Sequence, residues 1–139
     1  MNSYLDIFIG EYSFQTVLPE LARCLSLFSN LHTVQIDLFS RDSRGQSLDR
    51  LGKSFERTFK KYSYPQIRNV FIMSSSKSFI ASCPQTRRIG YPRGAMPESC
   101  LKTIKDNCPH LEVLEDFSDR LWDPVNCKRT ILYLFLSVF

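Results

Sequence analysis

Apolar residues recur along this chain in two alternating rhythms: helix-like spacing of about three to four residues, and short bursts of branched and aromatic residues that read as strands. The first burst runs from Tyr4 to Ile9, with Leu5, Ile7, Phe8 and Ile9, and Gly10 punctuates its end. A helix is expected from about Val17 to Phe28, where Leu18, Leu21, Ala22, Leu25 and Phe28 share one face. Thr16 suits its N-cap, Pro19 falls in the first turn where a missing N–H is harmless, and Glu20 complements the positive helix end. Asn30 breaks the helix, and Leu31, Val34 and Ile36 carry a second strand.

The polar stretch Ser40 to Ser47 reads as a surface loop, with Ser47 capping a second helix from about Leu48 to Tyr62. Leu48, Leu51, Phe55, Phe59 and Tyr62 form its apolar stripe, and Lys53, Arg57, Lys60 and Lys61 occupy the other faces. Pro65 prevents continuation, and Ile67, Val70 and Ile72 carry the third strand. Ser74, Ser75 and Ser76 offer a cap to a short helix with Phe79, Ile80 and Cys83 inward; Pro84 stops it, and Arg88 to Tyr91 is a weak strand. Pro97 fits a first helical position, and Leu101, Ile104 and Cys108 line the inner face of the next helix up to Pro109. Val113 and Leu114 mark a fifth strand, after which the pattern fades into loop-like residues and an apolar tail, Ile131 to Phe139. That tail is too short to span a bilayer as a helix and would dock as a final strand or helix, or be an aggregation liability.

One segment recurs: Phe28 to Ile36, Tyr64 to Ile72, Cys83 to Ile89 and Cys108 to Glu115 each start with a buried-type residue and reach an apolar or small residue three positions on. If Tyr4, Leu31, Ile67, Thr86 and Leu111 open the strand segments, their separations are 27, 36, 19 and 25 residues. Two of the four fall within the roughly 20 to 29 residues of a leucine-rich repeat, the 19 is just short of it, and the 36 contains the polar loop as an insertion. The fourth and sixth positions of each unit should face the core, and nine of these ten are apolar or aromatic, with Asp116 the exception. The expected fold is therefore α/β: a leucine-rich-repeat-like arc of about five parallel strands with helices on the convex side, spanning residues 1–117. An irregular segment with the apolar tail would follow at 118–139.

Composition narrows the function classes. With 43% hydrophobic and 23% charged residues the chain is globular in type, and its net charge of +4 is too mild for a nucleic-acid binder. No nucleic-acid or membrane partner is expected. The opening residues lack a basic region and Asp6 interrupts the apolar run, so no secretory signal is read there. The five cysteines show no CxxC or CxxH spacing, so neither metal nor cofactor is expected, and a reduced, intracellular setting (cytoplasmic or nuclear) fits.

Residues alternating with the core positions would line the concave sheet: Asp6, Phe8, Thr33, Gln35, Asn69, Phe71, Arg88, Gly90, Val113 and Glu115. A ladder that mixes aromatic, amide and charged groups suits capture of a protein partner. Arg87, Arg88 and Arg93 lie around one turn, where they form a solvated edge or hold an acidic group. His32 and His110 are read as equivalent sites beside turns, which raises thiol–imidazole chemistry with Cys83 or Cys108. Those cysteines, however, fill the slot that Phe28 and Tyr64 fill elsewhere, which argues for packing. No catalytic residue is expected.

Leu18-Pro19-Glu20-Leu21, the segments from Asn30 to Ile36 and from Phe59 to Arg68, Cys83-Pro84 with Arg87-Arg88, and the segment from Asn107 to Glu115 together resemble fungal F-box and leucine-rich-repeat proteins. The likeness runs from about Val17 to Phe117. It implies repeats that recognise proteins, in a family where a separate F-box module links them to ubiquitin-ligase subunits. No F-box stretch precedes the repeats in this sequence. The expectation is thus a non-catalytic interaction module like the substrate-recognition repeats of those adaptors, with a structural or scaffolding fragment as the alternative and a small thiol enzyme as a remote one.

Overall fold

Parallel strands cannot be joined by tight hairpins, so a chain that alternates strand and helix lays its strands side by side through helical crossovers. The computed structural model, which describes residues 3–10, 14–39, 46–92, 96–116 and 133–134, has this plan. In order it contains β1 (Ser3–Gly10), α1 (Phe14–Leu27), β2 (Leu31–Phe39), α2 (Gln46–Phe59), β3 (Asn69–Ile72), a 3-10 helix (Ser74–Ser82), β4 (Arg88–Tyr91), α3 (Glu98–Asn107), β5 (Val113–Asp116) and β6 (Tyr133–Leu134). All six strands form one sheet in sequence order. The first five are parallel, and β6 joins β5 antiparallel.

The helices make a second layer in the same order, α1 against α2, α2 against the 3-10 helix, and that against α3. Between the layers lies the core. Val34, Val70, Ile89 and Leu114 stand abreast on neighbouring strands, with Ile36 beside Ile72, all buried. From the helix layer come Leu18, Leu25, Leu51, Phe55, Phe59, Phe79 and Ile104. Phe55 stacks on Phe59 with ring centroids 4.2 Å apart, and Phe79 meets Phe59 edge-on at 5.4 Å. Gly52 costs α2 some helix propensity. A side chain there, however, would stand 3.0 Å from the Ser75 carbonyl oxygen, so the glycine lets α2 approach the 3-10 helix.

One turn recurs four times. Leu31 donates to the Phe28 carbonyl (3.1 Å), Ile67 to Tyr64 (3.2 Å), Thr86 to Cys83 (3.2 Å) and Leu111 to Cys108 (3.3 Å). Cys83 and Cys108 adopt nearly one conformation, φ/ψ −117/71° and −119/71°, each closing the helix before it. Beyond the turns, Arg68 donates to the His32 carbonyl, Arg87 to Arg68 and Glu112 to Arg87, which ties the strand entrances into one ladder.

Several expectations need correction. α1 begins at Phe14, so Pro19 lies past the first turn. It removes one backbone donor, opposite the carbonyl of the exposed Gln15, where water can substitute. Phe28 lies outside that helix and is 54% exposed. α2 already includes Ser47 and ends at Phe59, after which three-residue hydrogen bonds from Lys61 and Tyr62 tighten the exit. The serine cap of the third crossover acts from inside it: Ser76 is buried, accepts from the Met73 amide (3.0 Å) and donates to the Ile36 carbonyl (3.2 Å). Pro97 is the N-cap of α3 rather than its first residue, and Leu101 faces out while Cys100 packs inward. β1 is displaced by two residues from the expected register, so that Leu5, not Ile7, stands beside Val34. A two-residue slip preserves which face each side chain occupies, so the apolar alternation could not detect it. The expected apolar tail lies outside the described residues except for Tyr133 and Leu134.

Candidate functional site

Alternation sends every second strand residue to the sheet face opposite the helices. Two rows result. Tyr4, Thr33, Asn69, Arg88 and Val113 stand abreast in one; Asp6, Gln35, Phe71, Gly90 and Glu115 in the next. The expected site residues Asp6, Thr33, Gln35, Asn69, Phe71, Arg88, Gly90, Val113 and Glu115 thus share these two rows. Tyr4, which the first apolar position had been assigned, belongs with them. Phe8 is in register with Asp37, and its side chain lies outside the description.

Hydrogen bonds run across the rows. The Tyr4 hydroxyl donates to Gln35 Oε1 (3.1 Å), and Gln35 Nε2 to Asp37 Oδ2 (3.4 Å). Asn69 Nδ2 donates to Thr33 Oγ1 at 2.9 Å. Partial burial, then the nearby Asp6 and Asp37 carboxylates, raise the Tyr4 phenol above its ordinary range, so it stays a donor at neutral pH.

Phe71 and Arg88 form the centre. The Arg88 guanidinium lies 5.9 Å from the Phe71 ring centroid and pairs through Nη2 with Glu115 Oε1. Glu115, expected as an accessible binding group, is only 2% exposed, on a strand flanked by β4 and β6. It holds Arg88 rather than presenting itself to solvent. Arg88 Nε is buried with no hydrogen-bond acceptor among the described residues. Gly90 is buried under the Phe71 ring, and Val113 and Asn69 are half-buried.

The remaining candidates separate. Arg87 pairs with Glu112 at 2.7 Å at the strand entrances, both more than half exposed, while Arg93 lies outside the described residues. The two histidines are not equivalent: His110 is exposed in a turn, whereas His32 lies within β2, at the rung that Glu112 fills beyond β4. Cys83, Cys100 and Cys108 are free and buried. Burial pushes the Cys83 thiol far up, with Cys108 nearby adding to it, and pushes Cys108 up to about 12. A nucleophile needs the thiolate, which these surroundings suppress. Among the described residues no group of three or more His, Cys, Asp or Glu side chains is placed to hold a metal ion, and no helix is long and apolar enough to cross a membrane.

No family model, curated protein or solved structure matches this chain.

Proposed function

We propose that the chain is a non-catalytic protein-interaction module that binds its partner on the open sheet face. The observation that carries this reading is the Phe71–Arg88–Glu115 centre: an aromatic ring and a guanidinium held half-exposed by a buried carboxylate. Aromatic and arginine side chains dominate interface energetics, and a held side chain loses less entropy on binding. The polar rungs from Tyr4 to Asn69 would supply orientation around it.

The repeated turn and the sequential parallel strands favour a leucine-rich-repeat-like arc, and with it the resemblance to the substrate-recognition repeats of F-box adaptors. In that setting the partner is a protein, and ubiquitin-ligase subunits would be reached through a separate F-box component. Free, unbridged cysteines suit a reducing compartment, cytoplasmic or nuclear.

The test is affinity capture with wild-type protein, a Phe71→Ser/Asn69→Ala variant and a Lys53→Glu/Arg57→Glu variant of the helix layer. Proteins retained by the helix-layer variant and lost by the sheet-face variant support the proposal. Equal retention by the sheet-face variant, with an unchanged circular dichroism spectrum, overturns it.

A further inference from the structure

α1 carries two apolar rows where burial on the sheet uses one. Leu18, Ala22 and Leu25 are buried. At about 100° per residue, Val17, Leu21 and Cys24 form a second row roughly a quarter-turn away, with Val17 exposed, Cys24 half-buried and Leu21 half-buried against the core, and Phe28 follows just past the helix end. The side of α1 facing the rest of the chain is taken: the Tyr64 hydroxyl donates to the Ala22 carbonyl and Gln66 to that of Leu25. β1 is the edge strand of the sheet among the described residues.

Exposure concentrates there. Of the five large apolar side chains left exposed among the described residues, Tyr4, Val17, Leu27 and Phe28 all belong to β1 or the α1 segment. A cavity of about 360 Å³, lined by Tyr4, Leu5, Leu27, Phe28, Asn30 and Leu31, opens at the same end. The repeated turn shows that the slot is built to be covered: Tyr64, Cys83 and Cys108 occupy Phe28's position in the later units and are buried. β1 itself, Ser-Tyr-Leu-Asp-Ile-Phe-Ile-Gly, contains neither the lysine nor the proline that commonly blocks edge pairing.

We propose that a second copy of this chain covers this edge, through antiparallel β1–β1 pairing about a two-fold axis normal to the sheet. Such an axis keeps open face with open face and helix layer with helix layer. With Ile7 on the axis, Leu5 stands opposite Ile9 of the copy, Tyr4 opposite Gly10 and Asp6 opposite Phe8. A register centred on Asp6 would instead set two carboxylates face to face. The same axis brings α1 antiparallel to its copy, with Leu21 toward Cys24 and Val17 toward the Leu27–Phe28 end, which sets apolar side chains against apolar side chains. At the far end β6 already occupies the edge of β5, which disfavours head-to-tail growth and leaves a closed dimer.

Sedimentation equilibrium on the full chain tests this, with Leu27→Lys/Phe28→Asp as the variant. Both side chains are more than half exposed, so the fold should persist, as circular dichroism would report. A wild-type dimer that the variant weakens by at least about tenfold, with faster amide exchange along β1, is the expected result. A wild-type monomer at every concentration, an open-ended assembly, or a dimer that the variant leaves intact overturns the proposal. None of these outcomes bears on partner capture by the open face.

Discussion

The Phe71 ring occupies the space a side chain on Gly90 would need. A Cβ there would stand 2.3 Å from Phe71 Cδ1 and 2.5 Å from Cε1. Glycine in a strand interior is otherwise a loss, so its place in β4 is explained by the neighbouring ring that lies flat across it. Gly90→Ala should therefore swing Phe71 off the sheet and away from Arg88. A loss of about 1–3 kcal/mol in denaturant stability is expected, with a changed ring environment for Phe71 by NMR. An unchanged Phe71 signal would refute the contact.

Arg88 and Glu115 should prove strongly coupled. Arg88→Met strands a buried carboxylate and should cost about 1–3 kcal/mol or more. The double change Arg88→Met/Glu115→Gln should recover part of that loss, measured as a double-mutant cycle in urea.

Tyr64→Phe isolates one hydrogen bond. Phe28 shows that a phenyl ring suits the turn, so the change removes chiefly the 3.1 Å bond from the buried hydroxyl to the Ala22 carbonyl. About 1–2 kcal/mol should be lost, with faster exchange in α1 than in α3.

Buried thiols set an alkaline limit. An unfolded cysteine ionises near about pH 8.5, whereas burial holds Cys108 protonated up to about 12 and Cys83 well above its ordinary range. Between those limits the unfolded chain binds fewer protons than the folded one, so stability falls as pH rises. The urea midpoint should decline from about pH 9 upward, each such thiol adding a slope of up to about 1.4 kcal/mol per pH unit. Cys108→Ala should flatten that decline. At neutral pH, iodoacetamide should label Cys24, which is only partly buried, well ahead of Cys83 and Cys108 in the folded protein.

Much of this architecture was legible in the residues. The positions of Val34, Val70, Ile89 and Leu114 followed from aligning four turns, because each is three residues past the start of a strand segment and the side-chain period is two. The slot shared by Tyr64, Cys83 and Cys108 was equally readable, since cysteine in place of an aromatic signals packing. The β1 offset was not, because slipping by two leaves the same faces inward. Tyr4, set as the opening apolar position of its segment, has the parity of Asp6, and its register with Thr33 puts it in the row beside that of Asp6.

By itself, then, the sequence determined the alternation of strand and crossover, the inward rows and the residues of the open face. These are consequences of local periodicity and of proline and turn chemistry, which act within a few residues. Tertiary structure alone decided that Glu115 is buried and paired with Arg88, that Gly90 yields its space to Phe71, and that among the described residues β1 is the edge strand. Each depends on which strands become neighbours, and that relation joins residues far apart in the chain.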